Sequence, residues 1–235
     1  MTIDDAYAIQ SAWVAKKLAA GRRIIGHKIG LTSKAMQQAL NINEPDSGVL
    51  FDDMLFADAG DVPAARFIET RIEAELAFVI KRDIEGDART MLDVLAATDC
   101  VMPALEILDT RILRVDPETK STRKIYDTIS DNAANAGIVL GGRPMLPREI
   151  DLRWIGAIVS KNAAIEETGL AAGVLNHPAM GIVWLLRRLA AQQGCGLKAG
   201  EVVLSGSFIR PIEARRGDTI HADYGPAGTV SCYFE

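Results

Sequence analysis

Two glutamates, Glu73 and Glu75, lie in Arg71-Ile72-Glu73-Ala74-Glu75-Leu76-Ala77-Phe78-Val79-Ile80, a stretch that otherwise reads as a buried β-strand. Side chains alternate faces along a strand, so Ile72, Ala74, Leu76, Phe78 and Ile80 form one apolar face while the two glutamates share the other, their Cα atoms roughly 6.5–7 Å apart. That second face turns apolar again at Ala77 and Val79. A third carboxylate, Glu106, interrupts the apolar run at 101–108, which reads as another inner strand. Burying an unpaired carboxylate is costly. Three converging carboxylates with no Cys or His pair beside them suit a hard divalent ion such as Mg²⁺ or Mn²⁺, and leave coordination positions for water or substrate. The alternative is a solvated pair of strand glutamates with Glu106 bridged to an arginine; spacing alone leaves both open.

The elements that must carry these residues follow from local signals. Residues 2–20 read as an amphipathic helix, with Thr2 and Asp5 as a capping box, Ile9, Trp13 and Leu18 on its apolar side and Gly21 as the stop. A short strand follows at 23–31 with Lys28 as a cation inside it, then a second helix capped by Thr32 or Ser33 and running through Leu40. Residues 43–48 have turn composition and form a polar, acidic loop, with extended structure resuming at Val49. Thr90 and Asp93 fit a capping box for a helix that delivers the chain into the Glu106 strand. The charged, turn-prone residues 110–124 read as a surface excursion. Asp131-Asn132-Ala133-Ala134-Asn135-Ala136-Gly137 is small and amide-rich, which permits close backbone approach to a ligand or strand.

Further strands are expected at 137–141, 153–160 and 163–168, the last two as a hairpin around Lys161-Asn162. Asn176-His177-Pro178 predicts a capped helix start, with the helix running to about Gln193 and stopping at Gly194. Strands near 202–206, 218–224 and 228–234 complete a β-rich half. This order is no regular βαβα alternation, so the expected class is α+β, a mixed and strongly curved sheet with flanking helices. There is no P-loop, dinucleotide-binding glycine pattern, zinc spacing or nucleophile elbow.

A chain of 235 residues can bury a substantial core. The expected division is an N-terminal helical and strand subdomain over 1–60, packed on a catalytic domain over 61–235 as one structural unit. Hydrophobic residues at 49% and charged residues at 24% are ordinary for a soluble globular protein. A net charge of −5 disfavours nucleic acid or an anionic membrane surface as the main partner, so an anionic substrate would need local cations. Cys100, Cys195 and Cys232 form no close pair, which fits a reducing cytoplasm better than a disulfide framework. No signal peptide or stretch of membrane-spanning length is apparent.

Taken in order, Gly26-His27-Lys28-Ile29-Gly30-Leu31-Thr32-Ser33, Glu44-Pro45-Asp46, the Glu73-Ala74-Glu75 strand, Pro103-Ala104-Leu105-Glu106, Asp131 to Gly137 and Asn176-His177-Pro178 resemble the hydratase/decarboxylase branch of the fumarylacetoacetate hydrolase superfamily. The resemblance spans nearly the whole chain, although members of the branch carry a further stretch before the helix that opens it. It implies a β-roll like the fumarylacetoacetase C-terminal domain, a homo-oligomer, and Glu73, Glu75 and Glu106 as ligands of Mg²⁺ or Mn²⁺. The implied substrate is a small anionic 2-hydroxy-2,4-dienoate, which tautomerises to an enone conjugated with a 2-oxo acid and then takes up water. A seven-carbon dioate, 2-oxohept-4-ene-1,7-dioate from aromatic (homoprotocatechuate) breakdown, is the expected form. The alternatives are 2-oxopent-4-enoate hydration, 4-oxalocrotonate decarboxylation and a non-catalytic assembly subunit of the same fold.

Within that chemistry Lys28 is the candidate positive group at the developing enolate, or a proton donor if burial lowers its pKa. Its rival reading is a snorkelling lysine. Asp46 is the candidate proton carrier, against a turn-capping aspartate. Arg210 is the basic residue chosen for the distal carboxylate, against a surface arginine, and Ser207 with Gly206 is a candidate for lining the pocket with backbone donors. His27 and His177 read as structural.

Overall fold

In the computed structural model, which describes residues 1–39, 42–192 and 195–235, the chain opens with helix α1 (Ile3–Ala19). Strand β1 (Ile24–Gly30), a short helix α2 (Lys34–Ala39), β2 (Asp46–Phe51), β3 (Leu55–Phe56) and β4 (Gly60–Val62) follow. The middle of the chain supplies β5 (Arg71–Ile80), β6 (Ile84–Glu85), α3 (Met91–Ala97), β7 (Thr98–Leu108), α4 (Ile125–Ser130) and β8 (Asn135–Leu140). Then come β9 (Gly156–Lys161), β10 (Ala164–Leu170), α5 (Ala179–Ala191), β11 (Gly196–Leu197), β12 (Val202–Leu204), β13 (Ile212–Glu213), β14 (Thr219–Asp223) and β15 (Thr229–Phe234). The expected helix ends at Leu40 and at Gln193 with Gly194 lie outside the described residues.

An eight-stranded mixed sheet runs β2-β1-β12-β5-β7-β8-β3, with β13 pairing β5 as well. A five-stranded sheet, β10-β9-β14-β15-β4, lies against it, and β11 pairs β6. The class is therefore α+β, with parallel contacts at β1/β12, β3/β8 and β4/β15 and the remainder antiparallel. The alternation predicted for β5 is what builds the main core: Ile72, Ala74, Leu76, Phe78 and Ile80 are buried with Leu105 and Ile107 of β7, α5 and the second sheet. Each large apolar side chain so buried contributes about 1.5–3 kcal/mol. That is the reserve against which a polar opposite face can be held.

Several local expectations are met. The Thr2/Asp5 and Thr90/Asp93 capping boxes both form reciprocally, and Gly21 takes a left-handed conformation after α1. The β9/β10 hairpin turns at Asn162-Ala163, both with positive φ, one residue later than Lys161-Asn162. Residues 110–124 carry no helix or strand beyond a bridge between Val115 and Thr122.

Three details differ. The side of α1 that packs is only in part the apolar one expected: Trp13 is half-buried, edge-on to Phe51 at 5.6 Å, but Ile9 and Leu18 are exposed, while Ala6, Tyr7 and Gln10 are buried. The cause is polar, because the Gln10 amide donates to the Ser47 and Ile129 carbonyls and Tyr7 meets Ser47 at 3.3 Å, clasping α1 to β2 and α4. Second, residues 46–48 are strand and not loop, since Asp46, Ser47 and Gly48 pair with Gly30, Ile29 and Lys28. Third, Asn176 does not cap α5; His177 Nδ1 accepts from the Ala179 N–H instead.

Candidate active site

The site forms on the face of the large sheet opposite the main core. Antiparallel pairing sets Glu73 directly across from Glu106, and Glu75 follows two residues along the same face of β5. One carboxylate oxygen from each of the three lies within 4.8 Å of the others, and among the described residues they form the one such group of potential metal ligands. Ala77, Ala104, Ile138 and Leu204 form a buried apolar cluster beside the carboxylates on that face.

Two of the three carboxylates, Glu75 and Glu106, are fixed by neighbours. The Asn135 amide donates to Glu106 Oε1 at 2.8 Å, and the Gly206 N–H donates to Glu75 Oε2 at 2.7 Å. The Tyr224 hydroxyl bridges Glu75 and its cross-strand partner, accepting from the Glu75 N–H and donating to the Ala104 carbonyl at 2.6 Å. Lys28 Nζ lies 3.3 Å from Glu106 Oε1 and donates to the Ala133 carbonyl at 3.0 Å. That carbonyl is aimed by three consecutive residues in the left-handed region, Asn132, Ala133 and Ala134. Asn132 holds the run in place, since its side chain exchanges hydrogen bonds with both backbone groups of Val49. The approach that the amide-rich composition predicted is this one; a Cβ on Gly48 would overlap the Asn132 carbonyl.

Asp46 is buried at the start of β2, with Oδ1 lacking a hydrogen-bond partner. A Cβ at Gly30 would collide with that oxygen and stand 3.1 Å from Lys28 Nζ, so a glycine there is what admits the pair. Ser207 and Arg210 line the same cavity of about 330 Å³ as Lys28, Asp46 and Glu73. Ser207 Oγ donates to the Ile209 carbonyl and accepts from its N–H, while the Arg210 guanidinium is largely exposed and ion-paired with Glu167 at 2.7 Å.

Burial, then the charge of Glu106, pushes Glu73 up to about 8 and Glu75 well above the usual carboxylate range. Burial also raises Asp46, against the pull of Lys28. For Lys28 burial works downward, but Glu106, Asp46, Glu73 and Glu75 outweigh it and the net shift is upward. In the metal-free protein this direction favours Lys28 as a cation over Lys28 as a donor with a lowered pKa.

The donor set fits a hard divalent cation. Glu75 Oε1 and Glu106 Oε2 are buried with no hydrogen-bond partner, and one added positive charge would offset the burial and the repulsion that raise Glu73 and Glu75. A pH dependence follows with a definite sign. Glu73 titrates at about 8 in the folded, metal-free protein against an ordinary 4.5, so between those values the folded state binds more protons than the unfolded one and stability falls as pH rises. Chelator-treated protein is expected to lose Tm steadily across that window, and Mg²⁺ to restore more at the alkaline end. A pH-independent Mg²⁺ effect would exclude cation binding by these carboxylates.

Three contributors are not singled out by the sequence, Asn135, Tyr224 and Arg123, the last lining the cavity from the segment expected as a surface excursion, while Gly206, expected as a backbone donor at the pocket, gives its N–H to Glu75 Oε2. The one usable signal was the amide-rich run containing Asn135.

No family profile matches the chain. It is 58% identical over 234 residues to 2-oxo-hept-4-ene-1,7-dioate hydratase from Escherichia coli, covering 100% of this chain and 87% of that one. It is 40% identical over 235 residues to 2-keto-4-pentenoate hydratase from Paraburkholderia xenovorans (strain LB400), covering 100% and 85%. Among solved structures it superposes with a TM-score of 0.92 and 33% identity on 4-oxalocrotonate decarboxylase from Pseudomonas putida G7, complexed with magnesium and adipate, covering 100% and 87%.

Proposed function

The chain belongs to the hydratase/decarboxylase branch of the fumarylacetoacetate hydrolase superfamily, and on that premise we propose that it is a hydro-lyase converting 2-oxohept-4-ene-1,7-dioate and water to 4-hydroxy-2-oxoheptanedioate. The observation that carries this reading is the convergence of Glu73, Glu75 and Glu106 beside Lys28, joined to 58% identity with a hydratase of that substrate. The neighbouring decarboxylase, solved with magnesium and the dicarboxylate adipate, supports both Mg²⁺ and a dioate.

Glu73, Glu75 and Glu106 would hold the cation. Bound there, it supplies Lewis-acid stabilisation of an enolate formed from a 2-oxo acid. The chain's own residues do the rest. Lys28, held by Glu106 and the Ala133 carbonyl, offers a fixed positive charge to the developing enolate oxygen. Asp46, with a raised pKa and a free Oδ1, takes the C3 proton and returns it at C5, which brings the alkene into conjugation with the 2-oxo group. Water then adds at C4 and a proton at C3, so the product differs from the substrate by one water. Ser207, at the cavity wall, borders the carbon chain.

No helix among the described residues is long and apolar enough to cross a membrane. A cytoplasmic homo-oligomer acting in homoprotocatechuate breakdown fits the family's chemistry. The experiment is product analysis with the dioate and with 4-oxalocrotonate, before and after chelation. Hydration product that vanishes with chelator and returns with Mg²⁺ or Mn²⁺ is expected. Release of CO₂ without hydration would transfer the protein to the decarboxylases, and full turnover in metal-free protein would overturn the site assignment.

A further inference from the structure

The cavity carries more positive charge than the reaction centre needs. Besides Lys28, four arginines line it: Arg71, Arg114, Arg123 and Arg210. Two are spent on carboxylates at its rim, Arg210 on Glu167 at 2.7 Å and Arg114 on Glu69 at 2.9 Å. Arg71 and Arg123 have no carboxylate ion pair among the described residues. Arg123 is half-buried and oriented by a 2.7 Å hydrogen bond from Nη1 to Thr110 Oγ1, and Asp131, the carboxylate that helps offset it, is itself bound to Arg111 at 2.5 Å. Burial, then the Arg114 guanidinium, holds the Arg123 pKa below its usual value, as expected of a cation short of an anion.

Position completes the argument. Arg71 precedes Glu73 by two residues on β5, so it stands on the same face, one step from the carboxylates. Such neighbours are about 6.5–7 Å apart, which is about the span between the carboxyl groups of an extended seven-carbon chain. We infer that Arg71 and Arg123 together bind the distal carboxylate of the substrate and set the preference for a dioate over a monoacid. This rests on the 2-oxo acid reading of the site, and it moves the distal contact inward from Arg210. A desolvated carboxylate meeting two guanidinium groups gains charge-assisted hydrogen bonds at a place where a monoacid would leave both cations unanswered.

The test reads binding first, with product formation kept as a separate measurement. The affinities of 2-oxoheptanedioate, 2-oxoheptanoate and oxalate for the Mg²⁺-loaded protein are measured calorimetrically in wild type and in Arg71→Met, Arg123→Met, Arg123→Lys and Arg210→Ala. Arg71→Met and Arg123→Met are each expected to weaken the dioate by about 10- to 100-fold, the range of a charge-assisted hydrogen bond, while the monoacid stays nearly unchanged. Arg123→Lys should recover part of the loss, because it keeps the charge without the fork. Unchanged oxalate binding reports that the metal end is intact. Equal losses on dioate and monoacid, no loss on either, or a selective loss only in Arg210→Ala would overturn the assignment. A protein that binds the dioate selectively through these arginines yet forms no hydration product would refute the hydratase reading and leave this one standing.

Discussion

Glu106→Gln is expected to cost at least about 100-fold in both cation affinity and turnover, beyond the range typical of residues that merely support a ligand, while the fold persists. Three features combine at this position. Glu106 is fully buried between β5 and β8, lies directly across from Glu73, and is the only one of the three glutamates in ion-pair contact with Lys28. The amide keeps the shape and can still accept the Asn135 hydrogen bond on Oε1. It removes the charge that, after burial, does most to raise the pKa of Glu73 and Glu75. The metal-free variant should therefore unfold at the same temperature as wild type or higher at alkaline pH, because a repulsion has gone, yet gain little from added Mg²⁺. Calorimetric titration with Mg²⁺, paired with thermal unfolding at two pH values, checks both halves. Unchanged cation affinity would remove Glu106 from the ligand set, and loss of the folded state in the metal-free variant would make its role structural.

The asymmetry between what could and could not be read from the chain has a physical origin at each residue. Glu73 and Glu75 were legible because the two-residue strand period puts them on one face whatever else the chain does, and the alternation of Ile72, Ala74, Leu76 and Phe78 marks the other face as core. Their meeting with Glu106 was not legible from periodicity. Register between β5 and β7 is a non-local property, and a slip of one residue would send Glu106 to the opposite face. Only the ordered set of motifs resembling a known family brought the three together beforehand. Asp46 was placed in a loop because Glu44-Pro45 has turn composition; pairing with Gly30 draws it into β2, a tertiary effect that local propensity does not register. Arg123 was lost among the charges of a segment that looks solvated. Its burial depends on that segment folding back over the cavity toward Thr110 and Asp46. The buried side of α1 is only partly legible for a related reason: Trp13 packs on Phe51, but Tyr7 and Gln10 find polar partners on β2 and α4, so an amide and a hydroxyl are buried where Ile9 and Leu18 stay exposed.

Lys28→Met should lower kcat by about 100- to 1000-fold, the typical loss when one donor to a developing oxyanion is removed, with little change in KM. The methionine stem fills much of the same buried volume on β1, so the packing between Gly48 and Leu204 is retained and what disappears is the charge. In the metal-free protein the neighbouring carboxylates, Glu106 first, outweigh the effect of burial on Lys28, and the Ala133 carbonyl together with Glu106 fixes its direction. An interaction with charge that appears only as the enolate forms is felt in the transition state and leaves ground-state binding alone. The cation measurement separates this role from a merely structural counter-ion. Removing a positive charge 3.3 Å from Glu106 should leave Mg²⁺ affinity equal or higher, since the two cations compete for the same carboxylate. Weaker Mg²⁺ binding in Lys28→Met would mean that the lysine organises the carboxylates. A rise in KM at constant kcat would mean that it holds the substrate, and either result would move the enolate charge to another group.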